Sequence, residues 1–94
     1  LVASHIVSWA TCKSNAERLD LNNGLLLSPN LDKLFDRKVI SFSNNGVLQL
    51  NRKFNWNDVA PFGVHPDMRL RDVPGGIVKY LKRHRDGTLW SDAV

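Results

Sequence analysis

Apolar positions recur along this chain in two periods. Leu1 to Val7 alternates loosely and is rich in Val and Ile, which predicts a strand with His5 near its end. Gly24 to Leu27 is an apolar run of buried-strand length that stops abruptly at Ser28-Pro29. Ser28 suits an N-cap and Pro29 the first helical position, so the segment reads as strand, sharp turn, helix. Over residues 29–36, Leu31, Leu34 and Phe35 make one apolar face, while Asp32 and Asp36 share another. Val39 to Phe42 and Val47 to Leu50 alternate around Asn44-Asn45-Gly46, which predicts a hairpin over residues 39–51. From Ile77, the positions Ile77, Tyr80, Leu81 and His84 keep helical spacing with Lys79, Lys82, Arg83 and Arg85 between them. That pattern is an amphipathic, basic helix, closed by Gly87.

Between these elements the pattern is weaker. Residues 8–22 form a long polar loop in which Ser14 to Glu17 has the form of a capping box, so a short helical turn starts there and ends near Leu19. A loop of this length in a small domain is usually functional, and its place suggests that it holds His5 over the helix. Asn55 to Ala60 reads as one helical turn capped by Asn55 and halted by Pro61. Arg69-Leu70-Arg71 reads as a short extended piece before Pro74-Gly75-Gly76.

Composition narrows the classes. With 94 residues, 43% hydrophobic and 23% charged, the chain fits a single small domain over residues 1–94. Nothing in it is long and apolar enough to enter a membrane, and no signal peptide is visible. Leu1-Val2-Ala3 looks like strand interior, so the chain is expected to begin inside a larger protein. Cys12 is the sole cysteine, which rules out an internal disulfide and a Cys-x-x-Cys zinc clamp and suits a reducing, intracellular setting. A net charge of +4 and a pI near 9.6 suit a polyanionic partner.

The chemistry lies in the order Ser4-His5, Asn23, Asp32. A carboxylate one turn into a helix that follows a buried strand, with a histidine ending an earlier strand, makes a metal site with a base beside it. These pieces closely resemble the HNH endonucleases, in the branch with Ser4-His5-Ile6, Arg18-Leu19-Asp20, Asn23 to Asp32, Leu34-Phe35-Asp36 and Ile40-Ser41-Phe42. The resemblance covers roughly residues 1–50. It implies an α+β fold, a ββα-metal core with an added β-hairpin and a C-terminal basic helix. It implies that His5 is the general base, a role for which imidazole is suited at neutral pH. Asn23 would orient the histidine or brace the loop. Asp32 would bind the metal, and its hard oxygen favours Mg²⁺ or Mn²⁺ over Zn²⁺. Ser4 stands where similar proteins commonly have an acidic ligand, so the metal would rest on Asp32, Ser4, waters and the substrate phosphate, with Asp36 in reserve.

The resemblance further implies cleavage of DNA, a place as the C-terminal part of a longer chain behind an N-terminal DNA-recognition domain, and a role in restriction or defence; the reducing setting read from Cys12 points to a cytoplasmic location. It leaves a homodimer open. The competing reading is a nucleic-acid-binding or interaction module that has lost its chemistry at Ser4, and a third is a nuclease acting on RNA.

Other residues read more plainly. His84 lies on the apolar side of its helix and reads as packed, and His65 has no assigned role. Trp9, Trp56 and Trp90 read first as core and second as surfaces on which bases could stack. Lys79, Lys82, Arg83 and Arg85 form either a phosphate-contacting face or a solvated one. Asp36 reads as solvated, and Cys12 takes no role.

Overall fold

In the computed structural model, which describes residues 1–92, strand β1 (Val2–His5) pairs antiparallel with β2 (Gly24–Leu27). The register sets Val2 opposite Leu27 and His5 opposite Gly24. Between them lie a 3₁₀ turn at Trp9–Thr11 and the short helix α1 (Asn15–Leu19). Ser14 caps α1 by accepting from the Glu17 amide. The return arm of the expected box goes elsewhere, because the Glu17 carboxylate accepts from the Lys13 amide at 2.6 Å.

Helix α2 (Pro29–Asp36) follows β2 directly and packs across both strands. Ser28 caps it through the Leu31 amide, with Pro29 in the first turn. Phe35 is fully buried, and Leu31 and Leu34 pack against the core beside it. The helix ends in a Schellman arrangement: Val39 N–H donates to the Leu34 carbonyl at 2.9 Å and Lys38 N–H to that of Phe35 at 3.2 Å. Lys38 takes the left-handed position at φ 62°.

The hairpin forms as predicted from β3 (Ile40–Phe42) and β4 (Leu48–Asn51), with Gly46 at φ 80° in its turn. It is more than a hairpin, however. A third strand, β5 (Trp90–Asp92), pairs antiparallel with the far edge of β4, so the added element is a three-stranded sheet in the order β3-β4-β5. Three residues of mixed polarity leave no alternation from which to predict a strand.

Helix α3 (Trp56–Val59) starts from Asn55, whose N–H donates to Asp58 Oδ2 at 2.8 Å while its carbonyl accepts from the Asp58 N–H at 2.9 Å. Pro61 does not halt the chain here. It sits inside a 3₁₀ turn (Ala60–Phe62), where its missing N–H costs nothing, and Gly63 at φ 84° makes the stop. The extended piece near residue 70 is pinned to the hairpin turn by a bridge from Val47 to Arg69 and by Leu70 N–H donating to the Gly46 carbonyl at 2.9 Å.

Helix α4 (Val78–Arg85) begins after a 3₁₀ turn at Gly75–Ile77. It buries Tyr80, Leu81 and His84 against Phe35, Ile40 and their neighbours. The His84 ring stacks on Phe35 at 3.8 Å between centroids. Its Nε2 lies 2.7 Å from the Phe35 carbonyl, so that nitrogen carries the proton. Nδ1 then accepts from the Ser41 hydroxyl at 2.7 Å. Burial, aided by the charge of Lys38, pushes this imidazole down to about 4. His84 is therefore a neutral, packed bridge between helix and sheet. No helix among the described residues is long and apolar enough to cross a membrane.

Candidate active site

Strand alternation puts Ser4 on the inner face of β1, where it is 4% exposed and donates a hydrogen bond to Asp32 in the first turn of α2. Serine and carboxylate thus join strand to helix. His5, the next residue, is exposed, as alternation requires. The structure brings Ser4 and Asp32 into contact and sets His5 beside them along the strand.

Asn23 lies just before β2 and is 1% exposed. Its Oδ1 accepts from the Val7 amide at 2.7 Å, and its Nδ2 faces the Val7 carbonyl at 3.1 Å, the Glu17 carbonyl at 3.3 Å and Cys12 Sγ at 3.5 Å. An asparagine that completes both polar groups of Val7 acts as one more rung of the β1–β2 ladder. Of the two roles expected of it, these bonds perform the bracing of the loop, and none of them goes to His5. Cys12 is buried in the same knot.

The partners of His5 come from the loop. Nε2 lies 3.2 Å from the Arg18 carbonyl and 3.2 Å from the indole Nε1 of Trp9. Trp9 is 57% exposed, which corrects its reading as core. Arg18 holds Trp9 in place, with Nε donating to the Trp9 carbonyl at 3.1 Å and the guanidinium 5.7 Å from the ring centroid. An open groove of about 400 Å³ runs along His5, Arg18 and Asp20, with Leu19, Leu21 and Leu26 as its apolar wall. The sequence pattern missed Trp9 and Arg18 as functional neighbours. The available signals were their place in a loop already marked as functional and, for Arg18, its position in the Arg18-Leu19-Asp20 piece.

Helix α4 reaches this loop from behind. Tyr80 donates to Asp20 Oδ2 at 2.6 Å, and Arg83 pairs with Glu17 at 2.7 Å and donates to the Thr11 carbonyl at 3.3 Å. The carboxylate of Asp20 pushes the Tyr80 phenol up to about 12, and that hydrogen bond, with one from the Asn22 amide, holds Asp20 below the usual carboxylate range. Glu17 is lowered first by the Lys13 amide and then by Arg83.

The four basic residues expected to contact nucleic acid divide into two pairs. Arg83 is occupied by Glu17, and Arg85 donates to the Phe42 carbonyl and to Asn44 Oδ1, each at 2.6 Å. Lys79 and Lys82 are exposed. Asp36 is exposed at the C-terminal end of α2 and lines a different cavity, beside Lys38 and Asp86.

Among the described residues, no three His, Cys, Asp or Glu side chains converge as a metal cage. The available donors are the Asp32 carboxylate and the Ser4 hydroxyl, both hard oxygens. Such a set does not fit Zn²⁺, which takes nitrogen and sulfur ligands readily. It does fit Mg²⁺ or Mn²⁺, which keep several waters and need only one or two carboxylates.

Residues 1–43 match a family model described as HNH endonuclease. The matched stretch contains Ser4, His5, Asn23 and Asp32 and ends with β3. No curated protein matches the chain.

Proposed function

We propose that this chain is a metal-dependent endonuclease that hydrolyses DNA phosphodiester bonds, with β1, β2 and α2 as its ββα-metal core. One observation carries the reading: Ser4 is bonded to Asp32, so the first strand and the helix meet at an oxygen pair with His5 as the next residue. The family match over the same residues supports it.

In this reading His5 takes a proton from the attacking water. Asn23 keeps the chain beyond β1 on course, so that the imidazole stays at the strand end. Asp32 and Ser4 would hold Mg²⁺ or Mn²⁺, which, when bound, supplies positive charge to the scissile phosphate and the leaving oxygen. Lys82 offers a phosphate contact from the exposed face of α4, and Lys79, whose Nζ lies 5.0 Å from the Tyr80 ring centroid, offers a second.

The test is nicking of supercoiled plasmid in Mg²⁺ or Mn²⁺. His5→Ala and Asp32→Ala should each slow cleavage by about a hundredfold or more while DNA binding at low salt persists. Equal cleavage by His5→Ala would remove the histidine from the mechanism. Cleavage unchanged by chelator would remove the metal.

A further inference from the structure

We propose that helix α4 positions His5. Tyr80 and Arg83, acting through Asp20 and Glu17, hold the Arg18 carbonyl against the imidazole so that Nε2 carries the proton and Nδ1 is the basic nitrogen. This inference rests on the reading of His5 as the base.

The Arg18 carbonyl is available because it lies in the last turn of α1, where helix carbonyls have no intrahelical partner. A helix of five residues cannot hold that carbonyl in place unaided. The restraint comes from outside. Glu17, the residue before Arg18, is tied to Arg83, and Asp20, two residues after it, is tied to Tyr80. Asn22 completes the clamp by lying so close to Gly76 that a Cβ there would sit 2.7 Å from the Asn22 side chain. The carbonyl is thus flanked by tethers to α4 on both sides.

Precision matters here because Nε2 has two neighbours that demand opposite states. The Arg18 carbonyl accepts, so it requires a proton on Nε2. The Trp9 indole only donates, so it requires a bare Nε2. With Nε2 bare and Nδ1 protonated, the ring has no lone pair free for water. With Nε2–H on the carbonyl, Nδ1 is free, and the imidazolium formed by proton uptake keeps its acceptor. The α4 clamp favours the second state.

The experiment records long-range ¹H–¹⁵N imidazole spectra of the folded chain, whose shifts report the tautomer, alongside plasmid nicking. The expected parent spectrum shows His5 with a protonated Nε2. Tyr80→Phe and Glu17→Ala should move both His5 nitrogens toward the values of a mixed tautomer. Each should also lower kcat by about tenfold with KM nearly constant. Arg83→Ala should behave the same way and Arg83→Lys should recover much of the loss. If the variants fold yet the His5 shifts stay at parental values, Tyr80 and Arg83 serve stability alone and the proposal fails. A parent with its proton on Nδ1 overturns it equally. A parent that cuts no DNA but shows the expected shifts defeats the nuclease reading while the positioning of His5 stands.

Discussion

A hydroxyl bonded to a carboxylate leaves one negative charge where two would repel. Ser4 is buried and faces Asp32, so an acid placed there would confront another carboxylate with little water between them. Ser4→Asp should therefore destabilise the metal-free chain by roughly 3 kcal/mol, the scale of an uncompensated buried charge. Mn²⁺ should return most of that loss. Thermal melts with and without the ion read both effects, and a variant as stable as its parent in chelator would show that the two positions do not share a site. The placing of Ser4 against Asp32 and of His5 at the strand end was legible in the sequence, because the order of these residues follows the elements they end or begin. The partner of His5 was not legible. It is a backbone carbonyl, which every residue has, and only the way α1 terminates frees that of Arg18. The exposure of Trp9 was hidden for a similar reason: its indole stays at the surface because Arg18 holds it there.

At the scale of elements, capping and turn chemistry decided most boundaries. Ser14, Ser28 and Asn55 each precede a helix in the sequence and each accepts a bond from its first turn. Where an element depends on a distant partner, local pattern is silent. β5 exists because β4 has an open edge, and Trp90 reaches it with its indole donating to the Arg85 carbonyl at 2.9 Å. Lys38 is another such case, a non-glycine residue in a left-handed cap whose amine donates to the His84 carbonyl at the end of α4. Its side chain closes one helix by reaching back from another. Lys38→Ala should lose that bond and keep the strained backbone. Lys38→Gly loses the bond but relieves the strain, and should be more stable than the alanine variant by about 1 kcal/mol. Urea titrations of the pair measure the difference. An alanine variant at least as stable as the glycine one would mean that the cap carries no conformational penalty.

For the molecule as a whole, His84 makes stability depend on acidity. Its folded value near 4 lies below the 6.5 of an ordinary histidine, so the unfolded chain binds the proton first. The stabilisation is complete above about pH 6.5 and drains away as the pH falls toward 4, by which point about 3 kcal/mol has been lost. Asp20 and Glu17, both held below their usual range, lose their contributions lower still. Unfolding midpoints at pH 7 and pH 4.5 should differ accordingly, and equal midpoints would mean that the ring is not buried in its neutral form. The bridge that His84 makes from Ser41 to Phe35 also bears on how the protein is born. A polypeptide leaves the ribosome N-terminus first, so His5, Asn23 and Asp32 emerge while Tyr80, Leu81, Arg83 and His84 are still unmade. Until helix α4 clears the exit tunnel, Phe35 lacks its stacking partner and the loop beside His5 lacks both of its anchors. The segment around His5 therefore stays without its anchors until helix α4 has been made.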